Sequence, residues 1–119
     1  MPEKDPPLSD EIKDQLTQRR QVIDAIDHDM VALLKARQEQ VDKVLQLKKA
    51  HGLPVYHPAR EENLISEKRR MARAVGLDAD YLEDIFRRIL RQSRVEQTAQ
   101  LARRGLRPHA TVPNRRAHG

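Results

Sequence analysis

The chain has 119 residues, 38% of them apolar, with only three aromatic side chains and no cysteine. That allows one domain with a modest core of Leu, Ile, Val and Met, and it excludes disulfides and thiolate metal sites. The net charge of +5 is no nucleic-acid signal: residues 103–119 hold five arginines and no acid, and the rest of the chain balances 18 bases against 18 acids with no aromatic platform for base stacking.

Residues 1–8 are charged and rich in proline, with no apolar run of the kind a secretion signal needs. They read as a disordered segment, and the chain as cytoplasmic, with no membrane partner. Ser9 follows as an N-cap, with Asp10 and Glu11 placed where anions suit the helix dipole. From Ser9 to about His51 there is neither Gly nor Pro. The apolar residues Ile12, Leu16, Ile23, Ile26, Met30, Leu33, Leu34, Val41, Val44 and Leu45 recur in steps of three and four. The spacing predicts one very long helix. A stripe of that length on a single helix stays uncovered unless another chain packs against it, so an oligomer is expected.

Gly52 and Pro54 end this helix, and a short linker leads to Pro58, suited to the first position of a second helix. The second helix runs from Pro58 to Val75 with Leu64, Ile65, Met71, Ala72 and Val75 inward, and Gly76 stops it. Asp78 caps a third helix along Leu82, Ile85, Phe86, Ile89, Leu90, Ser93, Gln97 and Leu101. No strand pattern or internal repeat occurs. The fold class is all-α, three helices per chain, with a folded domain over 9–102 and a basic tail over 103–119 that reads as disordered.

Several polar side chains interrupt the apolar stripes. Arg37 and Lys48 lie in line with Val41 and Val44, Ser93 and Gln97 in line with Phe86 and Ile89, and Arg60 and Glu61 open the second helix. Charges on an inward face are costly unless matched. Internal ion pairs, such as Arg37 with Asp27 or Glu61, are one account. The other is a pocket for a small polyanion such as a dicarboxylate, for which Arg supplies a bidentate fork and Lys a point donor. His28, His51, His109 and His118 have no partners at metal-ligand spacing and read as solvated, so no metal is expected.

The runs Arg20-Gln-Val-Ile-Asp-Ala-Ile-Asp27, Leu33-Leu-Lys-Ala-Arg37, Lys48, Gly52-Leu-Pro-Val-Tyr-His-Pro-Ala-Arg-Glu61, Gly76-Leu77, Phe86 and Ser93-Arg-Val-Glu-Gln97 resemble an AroQ-type, all-helical chorismate mutase, over about Leu16 to Gln100. The resemblance implies an intertwined homodimer that rearranges chorismate to prephenate without metal or cofactor, on the route to Phe and Tyr. It implies that Arg37 and Arg60 hold the substrate carboxylates, joined by Arg20 from the partner chain. Lys48 and Gln97 would donate to the ether oxygen, Glu61 would accept from the substrate hydroxyl, and Ser93 would help seat a carboxylate. The backbone N–H of His57 would meet the hydroxyl. His57 itself departs from the family, which commonly has Asp there. An Asp would cap the second helix, whereas His57 adds a titratable group at the mouth of a cationic site. The same scaffold also serves isochorismate–pyruvate lyases and 4-amino-4-deoxychorismate mutases. A non-enzymatic helical module with a basic arm is the alternative outside enzymology.

Overall fold

The structure is a computed structural model that describes residues 7–103. Of the segments expected to be disordered, 1–8 and 103–119, residues 1–6 and 104–119 lie outside the described residues, and Arg103 is the last residue of α3. Three helices account for nearly all the rest: α1 (Asp10–Ala50), α2 (Pro58–Val75) and α3 (Ala79–Arg103). Among the described residues there is no strand, and no helix is long and apolar enough to cross a membrane.

The boundaries follow local chemistry. The Ser9 hydroxyl accepts from the Ile12 N–H at 3.2 Å, which satisfies one of the donors that an α-helix start leaves open. At the other end of α1, Gly52 takes a left-handed φ of 65°, which lets the Leu53 N–H reach the Lys48 carbonyl at 2.8 Å. Gly76 closes α2 in the same way, with φ 80° and the Leu77 N–H on the Ala72 carbonyl at 2.8 Å. Asp78 caps α3 through Asp80 N–H at 2.8 Å.

The start of α2 differs from the expectation. His57 is the cap: its Nδ1 accepts from the Arg60 N–H at 3.1 Å. An imidazole nitrogen with its lone pair free is an acceptor like the carboxylate of Asp, so the family's usual residue is not needed to start this helix.

The chain divides into two compact units, Met1–Arg37 and Gln38–Gly119. In the first, every described residue from Pro7 to Leu34 is exposed, including Ile23, Ile26, Met30 and Leu33, each more than half exposed. The apolar stripe is present and uncovered.

The second unit holds the core. Its centre is Leu64 and Ile65 of α2 against Leu90 of α3, with Phe86 packed on them. Leu45, Ala72 and Leu101 are buried as well. The ion pairs give the direction of packing: Glu61, near the start of α2, meets Arg94, far along α3, whereas Arg69, late in α2, meets Asp80 and Glu83 at the start of α3. The short turn at Gly76 therefore makes α2 and α3 an antiparallel hairpin. Arg87 extends the pairing to Glu62 and Glu83, and the Lys68 ammonium stands 5.3 Å from the Phe86 ring centroid. Gln100 ties α3 to Asp42 of α1 at 2.8 Å.

Two residues of α2 expected inward are exposed, as is Val44 on the expected stripe of α1. Met71 is 51% and Val75 71% exposed. Val75 is the last residue of α2, where the hairpin with α3 ends.

Candidate functional site

Of the residues singled out in the sequence, Lys48, His57, Arg60, Glu61, Ser93 and Gln97 belong to the second unit, and Arg20 and Arg37 to the first. Arg20 is exposed on α1, and Arg37 is half-buried where the first unit ends.

Lys48, Arg60 and Glu61 come together. Lys48 is in the last turn of α1, and the left-handed turn at Gly52 folds the linker back over it. Its ammonium donates to the Val55 carbonyl at 3.0 Å. Its pKa is held below the ordinary lysine value, first by burial and then by the neighbouring Arg60 cation, while Glu61 opposes both. Two cations near one carboxylate leave a local excess of positive charge, to which an anion can bind. The His57 cap fixes the backbone of Arg60, so the first turn of α2 presents Arg60 and Glu61 from a rigid start.

Ser93 is buried on α3, and its Oγ has no hydrogen-bond partner. A serine in a helix commonly bonds back to a carbonyl one turn earlier; this one does not, and an orphaned hydroxyl is costly in a core. Gln97 is half-buried one turn further along the same face. Both stay beside the residue that grips Glu61: Arg94 donates from Nη1 to Glu61 Oε1 at 2.5 Å.

Three contacts were not visible in the sequence. The Val55 carbonyl holds Lys48, Arg94 holds Glu61, and the Arg94 guanidinium lies 5.4 Å from the Tyr56 ring centroid. Glu61 and Arg94 are 33 residues apart, and Arg94 falls one step off the Ser93–Gln97 row, so periodicity gives it no role. An open depression of about 430 Å³ also borders Arg94, but its lining is Arg91, Arg94, Val95 and Thr98 of α3 alone. None of Lys48, Arg60 or Glu61 lines it. Among the described residues, no group of three or more His, Asp or Glu could hold a metal ion.

Lys48, Arg60 and Arg94 thus gather near one carboxylate, Glu61, while Ser93 and Gln97 are placed along α3. Such a set can bind and orient an anion and stabilise developing negative charge. The T-protein of Enterobacter agglomerans is 39% identical over 79 residues, covering 66% of this chain and 21% of that protein. The T-protein of Haemophilus influenzae is 39% identical over 74 residues, covering 62% of this chain and 20% of its own length. The chain therefore spans about a fifth of the length of these curated relatives. No solved structure matches it significantly. The profile of the family described as chorismate mutase type II matches residues 19–98, with Lys48, Arg60, Glu61, Ser93 and Gln97 inside the match, and the chain belongs to that family.

Proposed function

We propose that the chain is a chorismate mutase, an isomerase that converts chorismate to prephenate by a [3,3] rearrangement in the biosynthesis of Phe and Tyr. The observation that carries this reading is the half-buried Lys48 ammonium held against Arg60 with Glu61 beside it. A dicarboxylate relieves the repulsion between the two cations, and an ether oxygen that gains charge as its C–O bond breaks is stabilised by Lys48 and Gln97. Arg37 and Arg60 hold the carboxylates. Ser93, whose buried hydroxyl lacks a partner, is a ready donor to one of them. Glu61 accepts from the substrate hydroxyl, and the His57 N–H meets the same group. No side chain attacks the substrate. The rate comes from restraining a reactive conformer and from donors placed before the charge develops.

Residues 9–102 form the catalytic domain in this reading, and the working unit is a homodimer. The uncovered stripe from Ile12 to Leu34 is far longer than a soluble monomer leaves open. A second copy of the chain covers it, and Arg20 of the partner subunit completes each site. The enzyme is cytoplasmic and takes no cofactor or metal.

The test is incubation of the purified protein with chorismate, isochorismate and 4-amino-4-deoxychorismate in separate reactions. Prephenate from chorismate, undiminished by EDTA, is the expected outcome. Pyruvate release from isochorismate without prephenate formation would instead assign the lyase reaction to this fold. Inactivity on all three, with polyanion binding lost on removal of residues 103–119, would make the chain an interaction module.

Lys48 adds a pH signature. The ammonium is the active form, and its pKa lies below lysine's ordinary 10.5. The site therefore loses its donor as pH rises, earlier than an unperturbed lysine would. kcat/KM should fall on the alkaline side below pH 10.5. A Lys48→Arg variant, slower at neutral pH, should show no such fall, because a guanidinium does not deprotonate in this range. An alkaline limb that persists in Lys48→Arg would assign it to another group.

A further inference from the structure

Arg94 is tied to the site twice over. Its Nη1 donates to Glu61 Oε1, and its guanidinium stands over the Tyr56 ring. Tyr56 is in the linker whose Val55 carbonyl holds Lys48. The ring and the carboxylate together fix the guanidinium, whose planar fork suits both contacts. Glu61 is the less exposed partner, at 20% against 38% for Arg94, so the pair stands at the edge of the site.

The charge balance there is one-sided. Lys48 lies near both Arg60 and Glu61, and Arg94 pairs with Glu61, so three cations gather about one carboxylate. A lone carboxylate would take an ammonium more strongly than a hydroxyl, because an ion pair adds to the hydrogen bond. A carboxylate already paired with a guanidinium offers a hydrogen bond and little net charge. An incoming ammonium then meets three cations.

We propose that Arg94 is a specificity-determining residue: by neutralising Glu61 it makes the site select a substrate with a neutral hydroxyl over one with a protonated amine at the same carbon. The assignment rests on the reading of Glu61 as the acceptor for that substituent. The selection is partly repulsive, which is how discrimination between near-isosteres is commonly built. Tyr56 acts through Arg94 as a positioning residue.

The experiment measures kcat/KM for chorismate, and Ki of 4-amino-4-deoxychorismate as a competitor of chorismate turnover, at pH 7. The proteins are wild type, Arg94→Gln, Arg94→Lys and Tyr56→Leu. Wild type should prefer chorismate. Arg94→Gln should tighten the amine relative to chorismate by about fivefold, the scale of one partly screened charge contact. Arg94→Lys, which keeps the charge, should retain the wild-type preference, and Tyr56→Leu should fall between. A merely structural role would weaken both compounds together and leave their ratio unchanged. A ratio within about twofold of wild type in a folded Arg94→Gln protein, or in Tyr56→Leu should Arg94→Gln not fold, overturns the assignment. Preference of the wild type for the amine overturns it too, while the mutase fold and chemistry stand. Inactivity on chorismate removes the functional reading itself, and this assignment with it.

Discussion

Arg20→Ala and Arg37→Ala, each nearly inactive alone, should recover about a quarter of wild-type activity when unfolded and refolded together in equal amounts. The argument is geometric. Arg20 and Lys48 lie on the same helix, α1, 28 residues apart in the sequence. At about 1.5 Å per residue a straight helix separates them by roughly 42 Å, and no two side chains meet on one small molecule across that distance. If Arg20 serves the site of Lys48, it comes from a second chain, and two-fold symmetry then gives two equivalent sites, each built from both chains. Random pairing of the two variants makes about half of the dimers mixed. In each mixed dimer one site lacks both arginines and the other lacks neither. Either variant alone should lose about 10²-fold or more in kcat/KM, the scale for removing one fixed donor to a bound anion. A mixed sample as inactive as its parents, with mixed dimers confirmed by mass measurement, would rule out the shared site.

Helix boundaries were legible in the sequence because they depend on near neighbours. Ser9, Gly52, Pro58, Gly76 and Asp78 act within a turn of themselves, and each stands where its chemistry requires. His57 was harder to read because capping needs only an acceptor in the right place, and a histidine is one in one protonation state. Lys48 and Ser93 stood out because a charge or a hydroxyl on an apolar row breaks the pattern. Arg94 did not, since it sits one step off the row and its partner is in another helix. The exposure of Met71 and Val75 was missed for a related reason. Periodicity says which side of α2 is apolar, but how far that side is covered depends on where the facing helix lies. The stripe from Ile12 to Leu34 is the converse case: the sequence called for a covering partner, and the chain itself supplies none in its first unit.

The Gln97→Glu variant should lose most of its activity at neutral pH and regain part of it in acid. Gln97 is half-buried on α3, one turn beyond the orphaned Ser93 hydroxyl. Its side-chain amide carries N–H donors at every pH. In the wild type kcat/KM should therefore stay nearly flat from about pH 6 to 8, before the alkaline fall set by Lys48. A glutamate in the same place donates only when protonated. As a carboxylate it puts negative charge against an ether oxygen that is itself becoming negative, and so opposes the transition state. Loss of one such donor costs about 10²–10³ in rate, and the added repulsion makes the upper part of that range the expectation at pH 7.5. As pH falls the carboxyl takes up its proton and becomes a donor, so the profile of the variant should rise towards acid while the wild type stays level. A Gln97→Glu protein equally active at neutral pH would remove Gln97 from the ether oxygen. Equal losses for Gln97→Glu and Gln97→Leu at every pH would mean that the position serves packing, since only a titrating donor can separate the two variants in acid.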